Sequence, residues 1–179
     1  GVVHSIGFAP EICLGDDFLA AQWEDVAVAM HISAYSLKAL ADAFLPLMSE
    51  GGSFVGFDFD NRQAWPAYNW MGVAKAALEA SVRYLAEDLG KDNIRVNAIS
   101  AGTIKTLAAS GIGDFRLIMK WNEYNSPLRR TVTQEEVGKS ALYLLSDLGS
   151  AVTGEVLHVD AGYHVVGMKA VDAPDISKE

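Results

Sequence analysis

The chain has 179 residues, 50% hydrophobic and 21% charged, a balance that fits one globular domain with its own core and excludes a fibre or a disordered tail. Lys and Arg number 14 against 23 Asp and Glu, and the formal charge of −9 argues against non-specific nucleic-acid binding without selecting a substrate. The only cysteine, Cys13, leaves no intramolecular disulfide and no cysteine metal cluster; with no run of roughly 18 apolar residues and no basic signal-peptide start, a soluble, cytoplasmic protein is expected.

Val2-Val3-His4-Ser5-Ile6 reads as a short apolar strand that Gly7-Phe8-Ala9-Pro10 stops. After a loop, Val26, Val28, Met30, Ile32, Leu37, Leu40, Ala41, Phe44 and Leu45 recur at helical spacing from about Trp23 to Met48, and Gly51-Gly52 ends that helix. Ser53-Phe54-Val55-Gly56-Phe57 is a buried strand. The alanine-rich stretch from Tyr68 to about Leu89 is a helix stopped by Gly90, and Ile94 to Ile99 is the next strand. Past Ala101-Gly102 the pattern weakens. Leu107 to Asn125, within a segment of about 103–126, suggests a mobile helical flap with an apolar side. Thr133-Gln134-Glu135-Glu136 resembles a capping box opening a helix through Leu145, and Gly154 to Val159 makes the last strand. Strands alternating with helices imply a parallel sheet covered on both faces. With no repeat or linker, residues 1–168 are expected to form one domain and 169–179 a loose tail.

In such sheets ligands collect at the carboxyl ends of the strands. Ser5-Ile6-Gly7, Phe57-Asp58-Phe59 and Ser100-Ala101-Gly102-Thr103 fall there, beside the start of the Tyr68 helix. Tyr68 and Lys75 are seven residues apart, and seven steps of about 100° return a helix to within roughly 20° of its starting direction, so the two share a face. A phenol can donate to an oxygen that gains negative charge, and a nearby ammonium favours the tyrosinate that remains. That is the chemistry of an enolate or an alkoxide. Such a pair is also ordinary on a helix surface; the strand ends converging on it make it a candidate site.

Together Val3-His4-Ser5-Ile6-Gly7-Phe8-Ala9-Pro10, Tyr68-x6-Lys75, Arg95-Val96-Asn97-Ala98-Ile99-Ser100-Ala101-Gly102, Arg129-Arg130-Thr131 and Gly154-Glu155-Val156-x-His158-Val159-Asp160 resemble the bacterial enoyl-acyl carrier protein reductases of the short-chain dehydrogenase/reductase superfamily, from residue 1 to about Met168. The resemblance implies an α/β fold, a partial doubly wound (Rossmann-like) parallel sheet with helices on both faces. It further implies an N-terminally truncated member, the first three strands and their glycine-rich turn being absent. Most of the superfamily uses Tyr-x3-Lys with a serine about 13 residues before the tyrosine. Here Gly72 lies four past Tyr68 and Val55 lies 13 before it, which is similar to the enoyl reductases.

The implied reaction is NADH-dependent reduction of a trans-2-enoyl thioester on acyl carrier protein in fatty acid biosynthesis, with NADPH and acyl chain length left open. Tyr68 would hydrogen-bond the thioester oxygen as enolate charge builds, and Lys75 would bind the nicotinamide ribose. By the same resemblance Ser5, Ile6, Gly7, Asp58, Gly102, Ile104 and Thr106 would line the cofactor, while Ala9 and Phe59 would border the substrate with Tyr68. Ile6 and Ile104 read equally as core, Gly7 and Gly102 as turn glycines, and Thr106 as a helix start. Where many relatives carry a second tyrosine, ten residues before the catalytic one, this chain has Asp58. His4, His31, His158 and His164 make no metal pattern, and none is assigned catalysis. The family further implies a homotetramer with the Tyr68 helix and the Val156–Gly162 strand as contact surfaces, and no nucleic acid or membrane partner. Two other readings remain: an inactive remnant or binding-only module unable to seat the dinucleotide, and a carbonyl-reducing short-chain dehydrogenase, which the spacing disfavours.

Overall fold

A computed structural model describes residues 1–15, 17–104 and 115–176. Four strands, β1 (Val2–His4), β2 (Gly52–Asp58), β3 (Ile94–Ala101) and β4 (Val156–Val159), form one sheet in the order β1-β2-β3-β4. Every neighbouring pair is parallel, with Val3 opposite Val55, Val55 opposite Asn97 and Ile99 opposite Leu157. Parallel pairing needs a crossover at each step. The helices are α1 (Trp23–Met30), α2 (Ser36–Phe44), α3 (Asn69–Leu89), α4 (Phe115–Asn125) and α5 (Gln134–Leu145).

Side chains alternate across a strand, so neighbouring residues serve different layers. Phe54, Ile94, Val96 and Ala98 pack with Leu37 and Ala41 of α2 and Leu78 and Val82 of α3. Val55 and Ile99 join Val137, Ala141 and Leu144 of α5 in a separate cluster. Both faces are thus covered, as the alternation of elements predicts for a partial Rossmann-like sheet.

Two elements depart from the sequence pattern. Strand β1 ends at His4, because Ser33 clamps the chain beyond it: Phe8 N donates to Ser33 Oγ at 2.8 Å and Ser33 Oγ donates to Phe8 O at 2.7 Å. The long helix expected over 23–48 is α1 and α2 joined by a π turn at His31–Tyr35, with a 3₁₀ turn at Leu45–Leu47. Apolar spacing does not register a local widening of this kind. The turn carries Ser33, and directly after it Ser36 Oγ lies 2.7 Å from His4 Nε2.

The capping box at Thr133 is present: Glu136 N donates to Thr133 Oγ1 at 3.2 Å and Thr133 N donates to Glu136 Oε2 at 2.9 Å. Past β4, Ala170 N donates to Asn125 Oδ1 at 2.8 Å, Arg129 pairs with Asp172 at 3.0 Å, and Ile176 is buried. The described part of the stretch expected to be loose is therefore anchored, by apolar burial and two polar contacts. Thr106 and residues 105–114 of the expected flap lie outside the described residues. No helix among the described residues is long and apolar enough to cross a membrane.

Arg95 explains part of the β3 motif. Its Nη1 donates to Leu144 O (2.6 Å) and Gly149 O (2.8 Å), and its Nη2 to Ser146 O (3.1 Å). These carbonyls lie at and just beyond the carboxyl end of α5, where a helix leaves acceptors unpaired. Arg95→Met keeps an apolar stem and loses the donors, so urea denaturation is expected to show a loss of about 2–3 kcal/mol; an unchanged midpoint would refute the capping role.

Candidate active site

The site forms where β2 ends and α3 begins. Tyr68 is the N-cap of α3, with φ −88° and ψ −31°, and it stands between two left-handed residues, Ala67 (φ 64°) and Asn69 (φ 41°). Left-handed backbone costs a non-glycine residue on the order of 1 kcal/mol or more. The neighbouring loop compensates: Gly15 N donates to Ala67 O at 3.0 Å and Asn69 Nδ2 donates to Gly15 O. Strain is thereby localised at the phenol that the sequence singles out.

Phe59 stands between Tyr68 and Trp65, with ring centroids 5.1 Å from each. Trp65 continues to Tyr163 at 5.5 Å, and Trp121 Nε1 donates to Tyr163 Oη at 2.8 Å. Of these rings Phe59, Trp65 and Tyr163 form an aromatic wall of a cleft that Asp60, Ser100 and Gly102 also line. Burial first, and the charge of Asp58 second, hold the Tyr68 phenol well above its ordinary value. Tyr68 is consequently a neutral hydrogen-bond donor in the free protein. Desolvation dominates this balance, which keeps the proton that the sequence reading has Tyr68 donate.

Lys75 is 8% exposed, and its Nζ donates to Phe57 O at 2.8 Å. Burial pulls the ammonium below its ordinary value, against the charge of Asp58. Gly7 lies over it: a Cβ on Gly7 would sit 3.9 Å from both Lys75 Nζ and Ser33 Oγ. An ammonium has three donors, and Phe57 O is its one hydrogen-bond acceptor among the described residues. Two donors under a side-chain-free residue fit a pair of vicinal hydroxyls such as a ribose presents.

The other expected positions divide. Ser5, Ile6 and Gly7 are exposed just past β1, and at 41% exposure Ile6 is not core. Ile104 packs against the α5-side cluster, and Gly102 is a close-approach glycine, since a Cβ there would come within 2.8 Å of Asp160 Cα. Ala9 is buried in a cluster with Cys13, Val26 and Ala29. Asp58 is turned inward at 6% exposure, where Asn61 Nδ2 donates to its Oδ2 at 3.2 Å. His4 is neutral, its basicity lowered by burial and by Lys75, and His158 stacks on His164 at 4.0 Å.

Comparison with known proteins shows the family. Residues 1–164 match the family described as Enoyl-(Acyl carrier protein) reductase. The chain belongs to the enoyl-(acyl carrier protein) reductase family. It is 63% identical over 177 residues to enoyl-acyl-carrier-protein reductase (NADH) 1 of Rhizobium meliloti (strain 1021), covering 98% of this chain and 65% of that protein. To the Staphylococcus aureus (strain MRSA252) enzyme, named for NADPH, it is 54% identical over 167 residues, covering 93% of this chain and 65% of that one. The Anaplasma phagocytophilum enoyl-acyl-carrier-protein reductase, solved in complex with NAD, matches with a TM-score of 0.90 at 52% identity, over 97% of this chain and 65% of that one. The chain thus spans about 65% of the length of these relatives.

Several residues around the candidate site lie outside the sequence motifs. Ser33, in a helical run read only for its apolar spacing, clamps Phe8. Glu79 is four residues after Lys75 and so on the same helical face. Trp121 and Tyr163 are 42 residues apart, and no sequence signal joins them. Replacing Asn69 tests the strained turn. Asn69→Ala is expected to lower stability by about 1–2 kcal/mol, and Asn69→Gly by less because glycine keeps the positive φ, both read from urea midpoints. Equal losses would show that backbone strain plays no part.

Proposed function

We propose that this chain carries the catalytic pair of an enzyme that reduces trans-2-enoyl thioesters borne on acyl carrier protein, with NADH as reductant. The observation that carries this reading is the neutral phenol of Tyr68 at the start of the helix that carries a buried Lys75, whose spare donors open under Gly7. The names of the relatives support it, most of those quoted or matched at similar identity being NADH enzymes. When bound, the dinucleotide supplies hydride to the β-carbon of the enoyl group.

Lys75 presents its two remaining N–H groups to the ribose hydroxyls while Phe57 O fixes the third. Tyr68 donates a hydrogen bond to the thioester oxygen, where electrons displaced from the double bond collect as an enolate, and a proton taken up from solvent at the α-carbon completes the saturated thioester. Phe59, Trp65 and Tyr163 exclude water from that oxygen and so strengthen the hydrogen bond. Carbonyl reduction would require a lysine four past the tyrosine and a serine 13 before it. Here Gly72 occupies the first position against the Tyr68 ring, and Val55 is buried in the α5-side cluster. The same proposal includes a cytoplasmic homotetramer, for which edge strand β4 and the exposed Val73 and Tyr84 of α3 are available surfaces.

The test is NADH oxidation with crotonyl thioester, with a ketoacyl thioester and NADPH as the other arms. Tyr68→Phe is expected to lower turnover by about 10²–10³ with little change in NADH affinity. Lys75→Met is expected to raise the KM for NADH as well. Turnover of the ketoacyl and not the enoyl substrate, or full activity of Tyr68→Phe, would overturn the reading.

A further inference from the structure

Beneath Lys75 lie two carboxyl groups for which the proposed reaction has no task. Asp58 ends β2, Glu79 lies one helical turn past Lys75 on α3, and the Glu79 carboxyl is near enough to push the Asp58 carboxyl above its ordinary value. Asp58 Oδ1 and Glu79 Oε1 are both buried, and neither has a donor among the described residues. Their other oxygens are accounted for: Asn61 Nδ2 donates to Asp58 Oδ2 at 3.2 Å, and Arg83 Nη1 lies 3.9 Å from Glu79 Oε2. Ionised carboxylates only accept hydrogen bonds. Two facing carboxylates therefore leave each other unsatisfied, whereas one proton between them satisfies both.

We propose that Asp58 and Glu79 share a single proton across these two oxygens, and that the resulting singly charged pair positions Lys75, keeping its ammonium on Phe57 O with the spare N–H groups turned toward the dinucleotide ribose.

The charges around the pair are consistent with this count. Lys75 faces it from α3, Arg83 approaches Glu79 from the next turn, neutral His4 lies across on β1, and the neutral phenol of Tyr68 stands above. With the proton in place, one negative charge opposes the Lys75 ammonium, and Asp58 O–H donates to the Glu79 carboxylate. Burial first, and the contact with Glu79 second, push Asp58 up to about 8, while the charge of Lys75 opposes the shift. The proton is therefore held below that pH and lost above it. Two full negative charges would then draw the ammonium toward Asp58 and off the Phe57 carbonyl. Lys75 now bonds Phe57 O and not Asp58, the arrangement expected of a pair that carries one charge.

The role given to Lys75 rests on the enoyl-reductase reading, but the shared proton does not. Side-chain ¹³C-carboxyl NMR of the ligand-free protein tests the proton directly. One aspartate is expected to titrate near the value given for Asp58, and in Glu79→Gln, where an amide can donate to Asp58, its midpoint should fall by about one unit or more. If every carboxyl of the wild-type protein titrates below about pH 6, within the ordinary spread, the shared proton is refuted without reference to any variant's folding.

NADH binding, followed by nicotinamide fluorescence against pH, tests the positioning role. Wild-type affinity is expected to fall as the pair loses its proton, and Glu79→Gln should lose that inflection while retaining more affinity at neutral pH than Glu79→Ala. A purely structural role predicts equal losses in the two variants and an unchanged inflection, and that result overturns the positioning role. A protein that shows the raised carboxyl but binds no NADH would keep the shared proton and remove both the reductase reading and the positioning role. NADH binding without the raised carboxyl would remove the shared proton, and the positioning role with it, while leaving the reductase reading in place.

Discussion

One hydrogen bond, from the buried ammonium of Lys75 to the carbonyl of Phe57, ties the helix that carries Tyr68 and Lys75 to the carboxyl end of β2, the side on which open parallel sheets bind ligands. Its consequences follow from desolvation. An ammonium, a carboxyl and a phenol enter the same poorly hydrated corner, and for each the charged form is the one penalised. Asp58 rises, Lys75 falls and Tyr68 rises. Attraction between Asp58 and Lys75 works against two of these shifts and reverses neither. The corner is thereby set with a proton on the phenol, the state in which it can donate to an oxygen that is neutral at the start of a reaction and charged later.

Two local irregularities give that corner its shape, and both are stabilised by side chains outside it. The π turn at His31–Tyr35 presents Ser33 to both backbone polar groups of Phe8, which fixes how the chain leaves β1 and so where Gly7 passes over Lys75. The left-handed residues flanking Tyr68 are held by the Gly15 loop. In each case a departure from regular geometry would be unfavourable alone and is held by hydrogen bonds from a different segment. The regular elements, by contrast, are stabilised by layers of apolar side chains from strands and helices alike.

That division explains how much was legible in the sequence. Helix α3 was readable almost to the residue, because its alanine-rich interior and the glycine after Leu89 are local signals. The Thr133 box and the four parallel strands were readable for the same reason. Tyr68 and Lys75 were identifiable because a helix converts spacing into direction. The path of Ala9 into a cluster with Cys13, the exposure of Ile6 and the meeting of Trp121 with Tyr163 depend on how distant segments pack. No spacing rule encodes them. The inward turn of Asp58 belongs with these, since a carboxylate at a strand end is ordinarily solvated and only its burial beside Glu79 gives it another role.

The distinction between enolate and alkoxide chemistry rests on which groups can reach the oxygen that gains charge. A carbonyl carbon that accepts hydride leaves an alkoxide on the adjacent atom, which requires a proton donor and a second hydrogen bond at the reacting centre itself. A conjugated thioester accepts hydride two atoms away, so its oxygen needs only one well-placed donor while the reacting carbon is left free. With Val55 buried on the other side of β2 and Gly72 offering no side chain, neither of the two positions that flank Tyr68 in the carbonyl-reducing pattern adds a polar group to its phenol. The aromatic wall beside it supplies what a remote oxygen requires, a surface that keeps water away without competing for the hydrogen bond.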